Sequence, residues 1–147
     1  ILLETDAQPS NILCLTYTDA GVVCADLLAT AAAPRLLHGD LHYDNILVDA
    51  VHGYRLIDPK GVVGDPLFDL GYLVSRVMPL GRDALPLAQV VDLRLDVLAD
   101  AFSVSRSRLA AWGFLAATLS AAWTLEDHGV VSAEEQAVVR QLRSAMD

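Results

Sequence analysis

The chain has 147 residues, 54% of them hydrophobic and 20% charged, which predicts one globular domain with a sizeable core and argues against disorder. Its net charge is -9, and Lys60 is its one lysine. Nucleic acid and anionic membranes are therefore poor partners, because both require a positive surface, whereas a cationic small molecule suits the chain better.

The first third of the chain is predicted to contain a strand, a loop and a helix. Residues 1–4 are apolar enough for a short strand, and residues 5–18 suggest a loop with a short extended piece at residues 12–15. Asp19 is a candidate cap for a helix that runs to the residue before Pro34.

The middle of the chain is predicted to form a turn followed by a small β-hairpin. Residues 38–40 have the composition of a turn. Residues 46–48 and 54–57 are short apolar runs, and residues 49–53 between them carry the aspartate and glycine typical of a connecting turn.

From residue 65 onward the pattern is helical, with four helices predicted over residues 65–78, 83–102, 105–127 and 132–147. The first begins with a capping aspartate, Asp65, followed by a proline. The second tolerates Pro86 only in its first turn, and the third stops before Gly129. Ser132 and Glu135 form a capping-box pattern at the start of the last helix.

One uncharged stretch raises the question of a membrane span. Residues 109–125 carry no charge, and their number is at the lower limit for a spanning helix. Alanine, serine and threonine are frequent there and charged residues flank both ends, which favours a buried core helix. Cys14 and Cys24 are the only cysteines, and the chain begins at Ile1 without a visible secretory signal. We therefore expect a reducing cytoplasm and part of a longer protein.

The polar residues with chemical potential lie between residues 38 and 61. Asp40 and Asn45 are five residues apart across a turn, and Asp58 ends the second strand of the hairpin. Pro59 favours an extended conformation at Asp58, and a hairpin that folds back brings Asp58 near Asn45. A carboxylate and an amide oxygen are ligands that suit Mg²⁺, which completes its shell with water and phosphate.

The spacing of Asp40 and Asn45 matches the kinase catalytic loop, in which asparagine follows aspartate by five residues. His-Gly-Asp followed by Leu-His, at residues 38–42, resembles aminoglycoside phosphotransferases more than protein kinases. Residues 57–60 (Ile-Asp-Pro-Lys) and 64–70 (Gly-Asp-Pro-Leu-Phe-Asp-Leu) resemble the streptomycin and hydroxyurea phosphotransferase branch of that family. The similarity covers nearly the whole chain and is specific around residues 38–70.

The resemblance implies an α+β, mostly helical fold, the C-terminal lobe of a protein-kinase-like enzyme. Residues 1–10 would be the hinge strand and linker, residues 35–61 the catalytic and metal-binding loops, and residues 65–147 a helical subdomain. The N-terminal nucleotide-binding lobe is expected to be absent, with its phosphate-covering loop, lysine and glutamate. Lys60 cannot replace that lysine, which belongs to a strand upstream of the hinge. The chain alone is therefore expected to have little or no kinase activity.

The resemblance also assigns roles to individual residues. Asp40 would be the catalytic base or the carboxylate that orients the acceptor hydroxyl. Asn45 and Asp58 would hold the Mg²⁺ ions that bridge the phosphates of ATP or another nucleoside triphosphate. Asp69 would brace the catalytic loop from the next helix, and His38 would be mainly architectural.

Several other residues have open or structural interpretations. His42 can orient the loop or contact substrate, and Lys60 can pair with a carboxylate or a phosphate. Asp65 is interpreted as a helix cap rather than a ligand. Trp112 and Trp123 are predicted to pack in the core. Glu126 and Asp127 can meet a cationic acceptor or form a solvated helix end.

The implied function is ATP-dependent transfer of a γ-phosphoryl group to a hydroxyl of an aminoglycoside such as streptomycin, of hydroxyurea or of a metabolite, with antibiotic resistance as the consequence. Two other functions fit parts of the sequence. One is a metal-dependent hydrolase with zinc or manganese bound by the alternating side chains of His38, Asp40, His42 and Asp44. The other is a non-catalytic binding module that retains a kinase-like lobe.

Overall fold

The structure is a computed structural model that describes residues 9–76 and 85–147, with side chains from residue 16 in the first range. Helices dominate and the strands are short, so the predicted α+β, mostly helical class is confirmed. In chain order the elements are α1 (Pro9–Ala29), β1 (Arg35–Leu36), β2 (Ile46–Asp49), β3 (Gly53–Leu56), β4 (Val63–Gly64), α2 (Leu67–Ser75), α3 (Leu87–Phe102), α4 (Arg106–His128) and α5 (Ala133–Ser144).

The strands form two small antiparallel pairs that hold the loops between them together. The predicted hairpin is confirmed as β2 and β3, with Asp49 opposite Gly53 at its tip. The Asp49 carboxylate accepts the amides of Val51 and His52 at 2.8 Å, and these bonds lower the pKa of Asp49. Strands β1 and β4 form the second pair, with Arg35 opposite Gly64. The segments before β2 and after β3 therefore run side by side.

The N-terminal region differs from the sequence prediction. Helix α1 begins at Pro9, so the loop predicted through residue 18 and the extended piece at residues 12–15 are wrong. Asp19 lies inside the helix and does not cap it, and the helix ends at Ala29, earlier than predicted. A short apolar run fits a buried helix as well as a strand, and proline is favoured in the first helical turn. The strand predicted over residues 1–4 lies outside the described residues.

Helix α4 is the centre of the core. Its buried residues include Leu109, Trp112, Phe114 and Ala117, and α1, α2 and α5 pack around it. The core-helix interpretation of the uncharged stretch is thus confirmed, and among the described residues no helix has the length and apolarity to cross a membrane. Trp123, by contrast, is 47% exposed, so its predicted place in the core is wrong.

Helices α2 and α4 are in backbone contact at Gly71. A Cβ added there would lie 2.6 Å from the carbonyl carbon of Trp112, which leaves no room for a side chain. One residue further along α2, the Tyr72 ring packs on Phe68, and Phe68 meets the Trp112 ring edge-on at 6.1 Å. The spacing between the two helices is therefore fixed by a glycine and a cluster of aromatic rings.

The helix boundaries from residue 105 onward follow the predicted signals. Ser105 caps α4 by accepting the Arg108 amide, and Gly129 ends it in the left-handed conformation. Ser132 and Glu135 form the predicted capping box of α5. Helix α2 ends at Ser75, before the predicted end near residue 78, because Arg76 already departs from helical geometry with ψ 79°. Helix α3 begins at Leu87, later than the predicted start at residue 83, so Pro86 precedes its first turn and does not lie in it.

Candidate active site

The His-Gly-Asp turn is held in place by α2. One carboxylate oxygen of Asp69 accepts the His38 amide at 2.7 Å, and the other accepts the Gly39 amide at 2.8 Å. Gly39 has φ +81°, and a Cβ there would lie 2.9 Å from a methyl group of Val62. The turn therefore requires glycine for its conformation and its space, and it requires the Asp69 carboxylate for its amides.

His38 uses both ring nitrogens within the protein. Its Nε2 lies 2.8 Å from the Ile57 carbonyl oxygen, and its Nδ1 accepts the Asp40 amide at 3.3 Å. A carbonyl can only accept, so Nε2 carries the proton. With 8% of its surface exposed, His38 links the loop that carries Asp40 to the segment that carries Asp58.

Asn45 lies where these two segments meet. Its side-chain NH₂ group donates to the Asp40 backbone carbonyl at 2.9 Å. Its backbone carbonyl accepts the amide of Ile57, the residue before Asp58, at 3.0 Å. The side-chain oxygen of Asn45 has no hydrogen-bond partner within residues 9–76 and 85–147. An unpaired amide oxygen is a type of ligand that Mg²⁺ accepts together with carboxylates.

Asp58 does not have the extended conformation that Pro59 predicts. Its φ is 55°, in the left-handed region, and its side chain is 68% exposed. The chain reverses here because Lys60 donates its amide to the His38 carbonyl at 2.7 Å, which draws the segment back to the loop of residues 38–45. A left-handed non-glycine residue costs about 1–3 kcal/mol, and such strain is concentrated at functional sites.

The side chains of Asp40 and Asp58 converge on one ammonium group. The Nζ atom of Lys60 lies 3.0 Å from Asp58 Oδ2 and 3.7 Å from Asp40 Oδ2. The hydrogen bond and charge of Asp58, followed by the charge of Asp40, raise the pKa of Lys60, so the ammonium stays charged at neutral pH. Burial and then the Asp40 charge raise the pKa of Tyr72 beneath the site.

His42 lies between three members of the loop. Its Nε2 is 3.3 Å from the Asn45 side-chain nitrogen and 3.7 Å from Asp40 Oδ1, and its Nδ1 is 3.5 Å from Asp44 Oδ2. These contacts suit a residue that orients the loop. Its contact with substrate stays a prediction.

The proposed metal cluster of a hydrolase does not form. In the described part of the chain, no group of three or more histidine, cysteine, aspartate and glutamate side chains is arranged to hold a metal ion. His38 is committed to a carbonyl and an amide, so it is not free to coordinate zinc. The geometry counts against the hydrolase.

Asp65 has the capping role that the sequence predicts and a second one that it does not. Its Oδ1 accepts the Leu67 amide at 2.9 Å, while its Oδ2 accepts the Ala32 amide at 3.0 Å and Arg108 at 3.2 Å. Burial raises the pKa of Asp65, but these bonds outweigh burial and hold that pKa below its usual value. Asp65 thus ties the segment after α1 to α2 and α4.

A cleft beside the loop of residues 38–45 was not predicted. It has a volume of about 150 Å³, and its lining includes Tyr43, Ser75, Arg76, Glu134 and Glu135. No sequence motif marks it, because its members come from the loop, α2, α4 and α5. Glu126 and Asp127 are exposed near the end of α4, and their contact with an acceptor stays a prediction.

Comparison with known proteins finds one matching family. A family model described as "Aminoglycoside/hydroxyurea antibiotic resistance kinase" matches residues 2–128. No solved structure matches the chain.

Curated relatives carry names from the same group. Streptomycin 6-kinase of Streptomyces griseus is 32% identical over 107 residues, which are 73% of this chain and 35% of that protein. Hydroxyurea phosphotransferase of Kitasatospora aureofaciens is 32% identical over 122 residues, which are 81% of this chain and 34% of that protein. Streptomycin 3''-kinase of Klebsiella pneumoniae is 32% identical over 74% of this chain and 41% of its own length. The chain spans roughly a third of the length of these relatives.

Proposed function

The chain belongs to the aminoglycoside/hydroxyurea antibiotic resistance kinase family, and from this premise we propose that it is the C-terminal lobe of an ATP-dependent small-molecule kinase. The enzyme transfers the γ-phosphoryl group of ATP, or of another nucleoside triphosphate, to a hydroxyl of the acceptor. An upstream lobe supplies the rest of the nucleotide site, and the lobe described here supplies the residues around the transferred group. The length of the relatives supports this division. We place the enzyme in the cytoplasm, where nucleoside triphosphates are available.

The proposal is supported by the meeting of the Asp40 and Asp58 carboxylates at the Lys60 ammonium. Asn45 donates a hydrogen bond to the Asp40 backbone in the same loop. Asp40 orients the acceptor hydroxyl and takes its proton, while the Asn45 oxygen and the Asp58 carboxylate would hold Mg²⁺. When bound, that ion would supply the neutralisation of phosphate charge, and the protein aligns the nucleophile; these are the main requirements of phosphoryl transfer.

We propose a hydroxyl-bearing, cationic acceptor, with an aminoglycoside such as streptomycin first and hydroxyurea second. The names of the relatives support this substrate class. The net charge of -9 supports a cation. Tyr43 belongs to the same loop as Asp40 and lines the cleft with Glu134 and Glu135, so an acceptor in this cleft would lie close to the catalytic loop.

Phosphoryl transfer tests the proposal directly. Nucleotide consumption is measured with streptomycin, hydroxyurea and a panel of sugars, for the chain alone and for the chain joined to an upstream nucleotide-binding lobe. We expect turnover only with the upstream lobe. Full activity of the chain alone would refute the division into two lobes.

Replacement of Asp40 separates an enzyme from a binding module. Asp40→Asn in the two-lobed protein is expected to lower kcat by about 10²- to 10⁴-fold while acceptor binding is retained. Asp44→Asn is the matched control, because Asp44 is in the same loop and 72% exposed. Turnover that survives in Asp40→Asn would contradict the assigned role, and stoichiometric tightly bound zinc would favour a hydrolase instead.

A further inference from the structure

The side chain of Lys60 is fixed at its base, while its tip makes ion pairs that side-chain rotation can break. The backbone amide donates to the His38 carbonyl at 2.7 Å, and the Cβ atom lies 3.2 Å from the position of a Cβ on Gly39. The side chain is nevertheless 50% exposed, and its ammonium lies between Asp40 and Asp58. Movement of the ammonium therefore requires only side-chain rotation.

We propose that Lys60 is a positioning residue of the transfer site, whose ammonium holds Asp58 while no metal is bound and turns to the nucleotide phosphates once Asp58 coordinates a metal ion. The inference rests on the proposed kinase function. It gives Lys60 a role in the reaction that differs from the role of the lysine in the upstream lobe.

Lys60 and a metal ion would compete for the carboxylate of Asp58. Asp58 Oδ2 accepts a hydrogen bond from Lys60 at 3.0 Å, on the carboxylate that is assigned to the metal. An ammonium and a divalent cation on one carboxylate repel each other. At a separation of several ångströms in a solvated site, this repulsion corresponds to about a tenfold loss of metal affinity.

The balance of charge at the site also favours movement of the Lys60 ammonium. Without a metal, the carboxylates of Asp40 and Asp58 share one positive charge, that of Lys60. When Asp58 coordinates a metal ion, the ammonium loses its nearest partner and requires another anion. Nucleotide phosphates supply that charge, and lysine, with three donors on a flexible stem, is suited to bind a phosphate as a point charge. Binding of the metal ion in the absence of nucleotide is therefore disfavoured, whereas binding of the metal ion together with nucleotide is not.

Metal binding without nucleotide tests the inference apart from activity. The chain is titrated with Mn²⁺, a spectroscopic substitute for Mg²⁺, and free Mn²⁺ is measured by electron paramagnetic resonance. Lys60→Gln is expected to bind Mn²⁺ about tenfold more tightly than the unaltered chain. Lys60→Arg, which keeps the charge, should not tighten binding. Addition of Asp58→Asn to Lys60→Gln should abolish the gain.

Arg55→Gln is the matched control. Arg55 is 51% exposed, like Lys60, and pairs with Asp49 of the hairpin at 3.2 Å, so this change removes the same charge from an equally exposed side chain. We expect less than a twofold change in Mn²⁺ affinity. Equal effects of Lys60→Gln and Arg55→Gln, or no tighter binding in Lys60→Gln, would overturn the inference. Circular dichroism confirms that each variant is folded.

A second arm uses the chain joined to an upstream lobe. There Lys60→Gln should lower kcat at saturating metal and raise the KM for nucleotide, because the phosphates lose a cationic partner. If the unaltered two-lobed protein transfers no phosphate but Lys60→Gln still tightens Mn²⁺ binding, the proposed function fails and the competition at Asp58 stands. If transfer occurs and Lys60→Gln leaves both kcat and KM unchanged, the role of Lys60 toward phosphate is wrong.

Discussion

Asparagine in place of Asp69 is expected to loosen the catalytic loop. The carboxylate accepts two backbone amides at once, from His38 at 2.7 Å and from Gly39 at 2.8 Å. A side-chain amide has one acceptor oxygen, and its NH₂ group would face the second backbone N–H. A hydrogen bond to a charged group is worth about 1.5–3 kcal/mol, and an unpaired amide adds a desolvation cost. We expect Asp69→Asn to lower the free energy of unfolding by about 2–4 kcal/mol.

Urea unfolding of the chain, followed by circular dichroism, measures this change as a shift in midpoint at constant slope. Hydrogen exchange at residues 38 and 39 locates it, since the amides of these residues should lose protection. Asp127→Asn, at an exposed position of α4, is the control and should stay within about 0.5 kcal/mol. An Asp69→Asn chain as stable as this control, with unchanged exchange at both amides, would show that the carboxylate does not brace the turn.

Other predictions concern the fold around the site. Gly71→Ala should lower the free energy of unfolding by about 3 kcal/mol, because its Cβ would meet α4 backbone at 2.6 Å, whereas Gly21→Ala in open space on α1 should stabilise the chain in urea unfolding. Asp65→Asn should cost about 1–3 kcal/mol at pH 7. Since the folded pKa of Asp65 is lowered, this difference is present above the unfolded pKa of about 3.9 and should vanish as pH falls through the folded value, as measured by unfolding at several pH values. Ser132→Ala should lower the unfolding free energy by about 1 kcal/mol through loss of the α5 cap, and an unchanged urea midpoint would contradict this.

The sequence predicts best where one local interaction determines the structure. Ser132 with Glu135 and the pair of apolar runs around residues 49–53 each specify a structure within a few residues, and the structure contains them. Asp40 and Asn45 are close in the chain, so their proximity follows from the turn between them.

The sequence fails where distant parts of the chain decide the outcome. Asp58 has a left-handed backbone against the preference set by Pro59, because the bond from Lys60 to His38 reverses the chain. The two carboxylate contacts of Lys60 depend on that reversal and have no local signal. Trp123 belongs to an apolar helix, yet which side of that helix is covered depends on its neighbours in three dimensions.

Backbone contact at Gly71 has a consequence for which positions of the chain can change over evolution. Asp69 lies two residues before Gly71 on the same helix, so the distance between α2 and α4 sets the position of the carboxylate that holds His38. The outward surfaces of α3 and α5 take no part in that contact. Substitutions on those surfaces are expected to leave the contacts of Asp69 in place, whereas a single methyl group at residue 71 would displace them.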